Sequence, residues 1–270
     1  MRLPPALRAT LTVCMVVGLA FLYIPLLLIV LNSFNSSRTF GFPPAGLTLE
    51  WWQKAATNSG ALSALGTSVI AGLCAMAIAL VLGTMAAFAV QRYRFFGRTT
   101  ISFLVVLPIT LPGIVTGIAL NATFIQLLGP LGVALGLATV IIGHATFCIV
   151  IVYNNVQARL RRMGSSLEEA SADLGATGWQ TFWRVTFPGV RGALIAGAVL
   201  AFALSFDEIV VTTFTAGPAI QTLPLWIFNN LFRPNQAPVV NVIAAVLAVV
   251  AVVPVWLAQR FSDDSTTSRV

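Results

Sequence analysis

Apolar residues in this chain run in long blocks rather than alternating with polar ones. Six blocks stand out: Leu11–Leu31, Leu65–Val90, Ile101–Leu128, Leu131–Tyr153, Gly192–Thr215 and Val239–Ala258. A helix needs about 20 mostly apolar residues to cross about 30 Å of hydrocarbon, so the pattern predicts an all-α polytopic membrane protein with six transmembrane helices. Pro108 and Pro112 interrupt the third block, which is expected to be bent or partly unwound. Gly129-Pro130 leaves a tight turn between the third and fourth spans. Gly113-x-x-x-Gly117 and Gly132-x-x-x-Gly136 read as small-residue packing motifs. Arg2 and Arg8 before the first block resemble the start of a signal peptide, but that block is long and ends in Asn32-Ser33-Phe34-Asn35 without a small-x-small site. It is expected to stay as the first span.

Composition narrows the class. The chain is 58% hydrophobic and 9% charged, against about 45–50% and about 25% in a soluble domain. A water-covered globule and a disordered chain are both excluded. The net charge of +7 is not a nucleic-acid signature, because the basic residues form no aromatic-interleaved patch; lipid is the surrounding partner. With the N-terminus inside, Arg2, Arg8, Arg92, Arg94, Arg98, Arg159, Arg161, Arg162, Arg184, Arg191, Arg260 and Arg269 fall on the cytoplasmic side, against Arg38, Lys54 and Arg233 outside. The positive-inside rule therefore predicts an inner (plasma) membrane protein with both termini cytoplasmic. The expected layout is a cytoplasmic N-terminus (1–10), a six-helix transmembrane domain (11–258) with a cytoplasmic loop (154–191), and a cytoplasmic tail (259–270). Cys14, Cys74 and Cys148 each sit in an apolar block without C-x-x-C spacing and read as small hydrophobes.

Two loops are long. The outer one, 32–64, carries Trp51-Trp52, a candidate interfacial anchor. In the inner one, Ser165 and Ser166 offer a helix cap, and Glu168 and Glu169 lie where they complement the helix dipole, with Asp173 following. Leu167, Ala170 and Leu174 recur at helical spacing, Gly175 and Gly178 interrupt, and Trp179, Phe182 and Trp183 form a second apolar face before Pro188. The prediction is a short helix, a glycine turn and another short helix at the membrane surface. An amphipathic helix resting in headgroups is one reading; the acids favour a protein partner instead.

This loop resembles the signature of binding-protein-dependent ABC-transporter permeases: E-A-A, three residues, G, nine residues, I-x-L-P. Glu169, Ala170, Ser171, Gly175, Val185, Phe187 and Pro188 occupy it at the same spacing, with Ser171, Val185 and Phe187 departing in residue type. The resemblance implies that the loop, including Glu168 and Asp173, is a coupling helix seated in a cytoplasmic ATPase and joined to the fifth span by a short Pro188-Gly189 connection. It further implies a second homologous permease subunit, two cytoplasmic ATP-binding subunits and an extracytoplasmic substrate-binding protein.

The chain has no G-x-x-x-x-G-K-[ST] loop and a single lysine, Lys54. No enzyme constellation, cofactor or metal site is expected, and ATP-derived energy must enter through another polypeptide. Of the eight acids only Asp207 and Glu208 fall inside a span, where charge is costly unless it faces water or a partner. On an unbroken helix Ser205, Glu208 and Thr212 share one face, making Glu208 the better substrate-pathway candidate and leaving Asp207 to find a partner elsewhere. His144 in the fourth span reads as an interhelical hydrogen-bond partner, with a pathway role as the alternative. The stretch Ser205–Val211, then Thr215-Ala216-Gly217-Pro218, together with Leu107–Ile114 and Gly143–Cys148, is similar to the second permease subunit of spermidine/putrescine transporters. That resemblance implies polyamine import by alternating access. An ion-gradient-driven secondary transporter, or an importer of another small organic solute, remains open; a membrane-embedded enzyme lacks a nucleophile–base pair.

Overall fold

A computed structural model describes residues 4–263, with side chains described to residue 250. Arg2, Asp264 and Arg269 lie outside the described residues, as do the side chains of Arg260 and Asp263 and most of the expected tail. The helices are α1 (Pro5–Asn32), α2 (Glu50–Ala56), α3 (Ser59–Arg92), α4 (Arg98–Thr110), α5 (Gly113–Thr123), α6 (Leu137–Met163), α7 (Ser166–Asp173), α8 (Gly178–Thr181), α9 (Phe187–Phe206), α10 (Val210–Thr215), α11 (Leu223–Leu231) and α12 (Ala237–Asp263). All six apolar blocks are helical, and among the described residues there is no β-strand, only one bridge, Asn35 to Leu47. Among the described residues, five runs are long and apolar enough to cross a membrane: Pro5–Asn32, Ser59–Arg92, Gly113–Leu131, Leu137–Met163 and Gly178–Phe206.

The chain divides into two compact units, residues 1–62 with 227–270, and residues 63–226. In the first, α12 lies along α1 and α2. The outer loop here is built around Asn35, whose side chain donates to Asn32 Oδ1 and accepts from the amides of Ser37 and Ala45. Trp51 and Trp52 are not the expected interfacial anchors. Trp51 is buried and donates its indole N–H to the Asn35 carbonyl at 2.9 Å, while Trp52 stacks on Phe34. On the solvent side of α2, Lys54 donates to Glu50 and holds that carboxyl below the usual carboxylate range.

The second unit is organised by α6, the helix with the most buried residues in this unit: Val150, Val152, Tyr153, Val156 and Leu160 are all fully covered. α9 runs antiparallel to it in steady register. Arg159 Nε donates to the Gly189 carbonyl (2.7 Å), Gly197 lies against Val152, Cys148 Sγ donates to the Ala201 carbonyl (3.3 Å), and His144 meets Ser205 (2.8 Å). A Cβ on Gly197 would stand 3.3 Å from the Val152 Cα, so the small residue sets the helix separation. On the other face α3 approaches as closely at Gly83, where a Cβ would meet the Ile149 carbonyl at 2.8 Å.

Three local departures from the sequence pattern matter. The third span breaks at Leu111-Pro112, where Leu111 is extended (ψ 144°) and Pro112 opens α5; Pro108 remains inside α4. The turn after it is longer than Gly129-Pro130, running through a π turn at Phe124–Leu128 and a 3-10 turn at Gly129–Leu131 to Gly136, so that the fourth span starts at Leu137. The fifth span breaks after Phe206 and resumes at Val210. Gly113 and Gly117 do serve packing, against Val210 and Phe214 of α10, whereas nothing approaches Gly132 or Gly136, which belong to the turn.

At Gly117 a Cβ would lie 2.5 Å from a ring carbon of Phe214, while at Gly136 it would meet open space. Gly117→Val should therefore destabilise by about 1–3 kcal/mol through overpacking, and Gly136→Ala by within about 0.5 kcal/mol. Thermal inactivation of the two variants in detergent, measured against the parent, checks the difference.

Candidate functional site: the knob before the fifth span and the break within it

Residues 164–186 form a compact knob between α6 and α9. Gly164 (φ 65°) turns the chain out of α6. Ser165 stands at the cap of α7, yet its side chain makes no cap bond, because its backbone (φ −112°, ψ −9°) is not in the extended region that aims the hydroxyl at the helix. α7 closes in a Schellman motif: the Gly175 amide donates to the Ala172 carbonyl and the Ala176 amide to the Ser171 carbonyl. Gly175 has φ 80°, a left-handed conformation that suits glycine. Thr177 and Gln180 then form a reciprocal capping box at the start of α8.

From there the helix does not stop. α8 passes into a π turn, Phe182–Thr186, and directly into α9. The expected Pro188-Gly189 connection is not a loop. Pro188 lacks an N–H and would clash with the carbonyl four residues back; the wider π turn just upstream absorbs both effects, with the Phe187 amide reaching the Phe182 carbonyl.

The knob's residues divide cleanly by direction. Glu168 points inward: its Oε1 accepts from Arg92 Nη2 at 3.0 Å, at the end of α3, and from Thr186 Oγ1 at 2.9 Å, in the π turn. Ser171 Oγ lies 3.0 Å from Thr181 Oγ1, joining α7 to α8. Phe182 is half-buried against Phe88, and Phe187 and Val185 are half-buried beside it. Glu169, Ala170, Asp173, Gly175 and Pro188 are exposed, as are Leu167 (60%), Leu174 (89%) and Trp179 (71%). A self-contained knob would turn its largest apolar side chains inward. This one presents Leu167, Leu174, Trp179 and Trp183 outward. Arg92 and Thr186 were not legible as site residues, since no spacing rule links them to Glu168.

At the far end of α9 the acid pair does not lie on an unbroken helix. Asp207 is the C-cap of α9, Glu208 and Ile209 are non-helical, and α10 follows. The shared-face reading of Ser205, Glu208 and Thr212 is thereby corrected. Ser205 and Thr212 are buried, at 2% and 0% exposure, and both face His144, itself fully buried: Nδ1 to Ser205 Oγ and Nε2 to Thr212 Oγ1, each 2.8 Å. His144 thus occupies the interhelical position expected of it. Glu208 is half-buried, and its Oε1 accepts the Val211 amide at 2.8 Å, satisfying a donor that the break would otherwise orphan. Asp207 is exposed. Asp207 is thus the more exposed of the two acids and Glu208 the more enclosed. Asn121 Nδ2 and Thr139 Oγ1 donate to the Phe214 and Thr215 carbonyls at 2.6 and 2.7 Å, securing the end of α10; neither residue carries a sequence signal for this.

Residues 79–264 match the family model of the binding-protein-dependent transport system inner membrane component. The chain is 36% identical over 238 residues to the putrescine transport system permease protein PotI of Escherichia coli (strain K12), covering 87% of this chain and 84% of that one. It is 34% identical over 247 residues to the spermidine/putrescine transport system permease protein PotC of the same strain, covering 92% and 91%. A putative 2-aminoethylphosphonate transport system permease protein, PhnV of Salmonella typhi, is 30% identical over 87% of this chain and 88% of its own. Among solved structures, a bacterial ABC transporter involved in the import of the acidic polysaccharide alginate superposes with a TM-score of 0.73 at 16% identity, over 97% of this chain and 99% of that one, and carries the fold alone. The chain is a multi-pass inner-membrane permease of an ABC importer; it is not an enzyme, ATP hydrolysis resides in a separate subunit, and a substrate-binding protein completes the system. It belongs to the binding-protein-dependent transport system inner membrane component family.

Proposed function

We propose that this permease carries polyamines, putrescine or spermidine, into the cytoplasm by alternating access, with both termini cytoplasmic. Its partners in this reading are a second homologous permease, two copies of the ATPase and an extracytoplasmic binding protein. The observation that carries the substrate is Asp207: one exposed carboxylate beside a helix break within an apolar span. Non-helical backbone at membrane depth is tolerated where it is buried in protein or lines a wet cavity, and an acid there offers a station to an organic cation. Two relatives of similar identity are named for putrescine and spermidine transport, which supports the same chemistry.

The knob is the coupling element in this reading. Exposed Leu167, Leu174 and Trp179, with Glu169 and Asp173 beside them, suit a groove in the ATPase. Glu168, held by Arg92 and Thr186, ties the knob to α3 and to the root of α9, so a push on the knob moves helices rather than bending a loop.

Uptake by the complete importer in proteoliposomes tests the substrate. A charge-assisted contact is worth about 1.5–3 kcal/mol, so Asp207→Asn should lower putrescine uptake roughly tenfold or more. Glu208→Gln should do less, because the Gln carbonyl can still accept the Val211 amide. Preference for 2-aminoethylphosphonate over putrescine and spermidine would refute the polyamine assignment.

Glu169→Lys and Gly175→Arg should each abolish uptake while leaving the chain inserted in the membrane. Full uptake in both would remove the coupling role of the knob. Glu168→Ala should loosen the knob without removing its outer face. Amide exchange over residues 166–181 is expected to rise by about fivefold, from a part-buried pair worth on the order of 1 kcal/mol.

A further inference from the structure

We propose that His144 is a positioning residue: a clamp across the break of the fifth span that fixes where Asp207 stands. This rests on the reading of Asp207 as a path residue. The break leaves α10 as a six-residue helix, too short to be stable by itself. Its last turn is secured by Asn121 and Thr139. Its first turn is secured by Glu208 and by His144. On the other side of the break, the last turn of α9 is secured through Ser205 by the same imidazole. Among the described residues, His144 is the side chain that hydrogen-bonds to both sides of the gap.

Hydrogen-bond roles follow from counting protons. Thr212 Oγ1 donates its single proton to the Glu208 carbonyl at 2.8 Å, so it accepts from His144 Nε2–H. With Nε2 protonated, a neutral ring accepts at Nδ1, from the Ser205 hydroxyl. The result is a directional chain: Ser205 hydroxyl to Nδ1, Nε2–H to Thr212, and the Thr212 hydroxyl to the Glu208 carbonyl in the break itself. His144, Ser205 and Thr212 are buried, and each proton is used. The clamp therefore holds the backbone at Glu208, one residue from Asp207, against α6. A lone Ser–Thr contact could not do this, since α9 ends at Phe206 and α10 begins at Val210. An imidazole, with acceptor and donor on opposite edges of a rigid ring, spans the gap.

The proposal makes His144 act through the break and not on the cation. Its loss should misplace Asp207 in the assembled importer, so that ATP is consumed with less cargo delivered. Reduced folding would instead lower hydrolysis and uptake in parallel. The experiment is the ratio of putrescine delivered to ATP hydrolysed, in proteoliposomes holding the complete importer and its loaded binding protein.

For His144→Ala the ratio should fall about tenfold, the scale set by unmaking buried hydrogen bonds. Ser205→Ala and Thr212→Val should each lower it less, and adding Ser205→Ala to His144→Ala should cause no further loss. An unchanged ratio for His144→Ala, or losses that multiply in the combined variant, overturns the clamp. If His144→Ala does not assemble, the Ser205→Ala/Thr212→Val double variant, which keeps side-chain volume, takes its place, and an unchanged ratio there overturns it equally. Asp207→Asn run alongside separates the two readings. A fall with Asp207→Asn but none with His144→Ala overturns the clamp alone, whereas a fall with His144→Ala but none with Asp207→Asn refutes Asp207 as the path residue and, with it, the claim that His144 acts through Asp207.

Discussion

Hydrocarbon offers no hydrogen bonds to a peptide group, and the second unit of this protein is arranged around that constraint. A continuous helix satisfies its own backbone; a broken one must borrow partners from its neighbours. The fifth span is broken at Asp207–Ile209, and the borrowed partners can be named: Glu208 for the Val211 amide, Thr212 for the Glu208 carbonyl, Asn121 and Thr139 for the carbonyls of Phe214 and Thr215. These bonds come from α5, from α6 and from the broken span itself. The packing of Gly117 against Phe214 brings α5 close enough for Asn121 to reach. Small residues and polar side chains are thus parts of one solution to an unpaired backbone.

The six apolar blocks and the helix–turn–helix form of the inner loop were legible because both rest on composition over many residues. A run of twenty apolar side chains has few alternatives to a helix in lipid. Gly175 was legible too, since a turn between two amphipathic pieces calls for a residue that accepts positive φ. The break after Phe206 was not. Ser205-Phe206-Asp207-Glu208-Ile209 holds neither proline nor glycine, so nothing local forbids a helix there. What ends α9 is tertiary: an imidazole from another helix and a carboxylate that caps the next piece. Proline was a partial guide. Pro112 marks the break in the third span, while Pro108 is absorbed within α4 and Pro188 lies in a helix relaxed by a π turn upstream.

Long-range polar pairs were the other blind spot. In the sequence Arg92 is one positive charge among twelve expected on the inner side, and Glu168 is a helix-dipole partner within the expected coupling helix. Their ion pair joins residues far apart in the chain, and neither spacing nor residue type announces it. Trp51 failed in the opposite direction. Its type suggested an interfacial anchor, but the Asn35 carbonyl, left unpaired by the outer loop, is the partner that its indole N–H reaches. In each case a buried polar group needed a specific mate, and the need arises only after the chain has folded.

The antiparallel register of α6 and α9 bears on how motion can travel. Arg159 holds Gly189, Val152 abuts Gly197, Cys148 meets Ala201 and His144 meets Ser205, four contacts spaced along most of α9. Sliding one helix past the other would break polar bonds in low dielectric and press Gly197 into backbone. The pair is therefore stiff in the direction of its axis. With α8, the π turn and α9 continuous, one unbroken helical path runs from the knob along α6. That path ends only at Phe206, where the helix breaks and Asp207 stands.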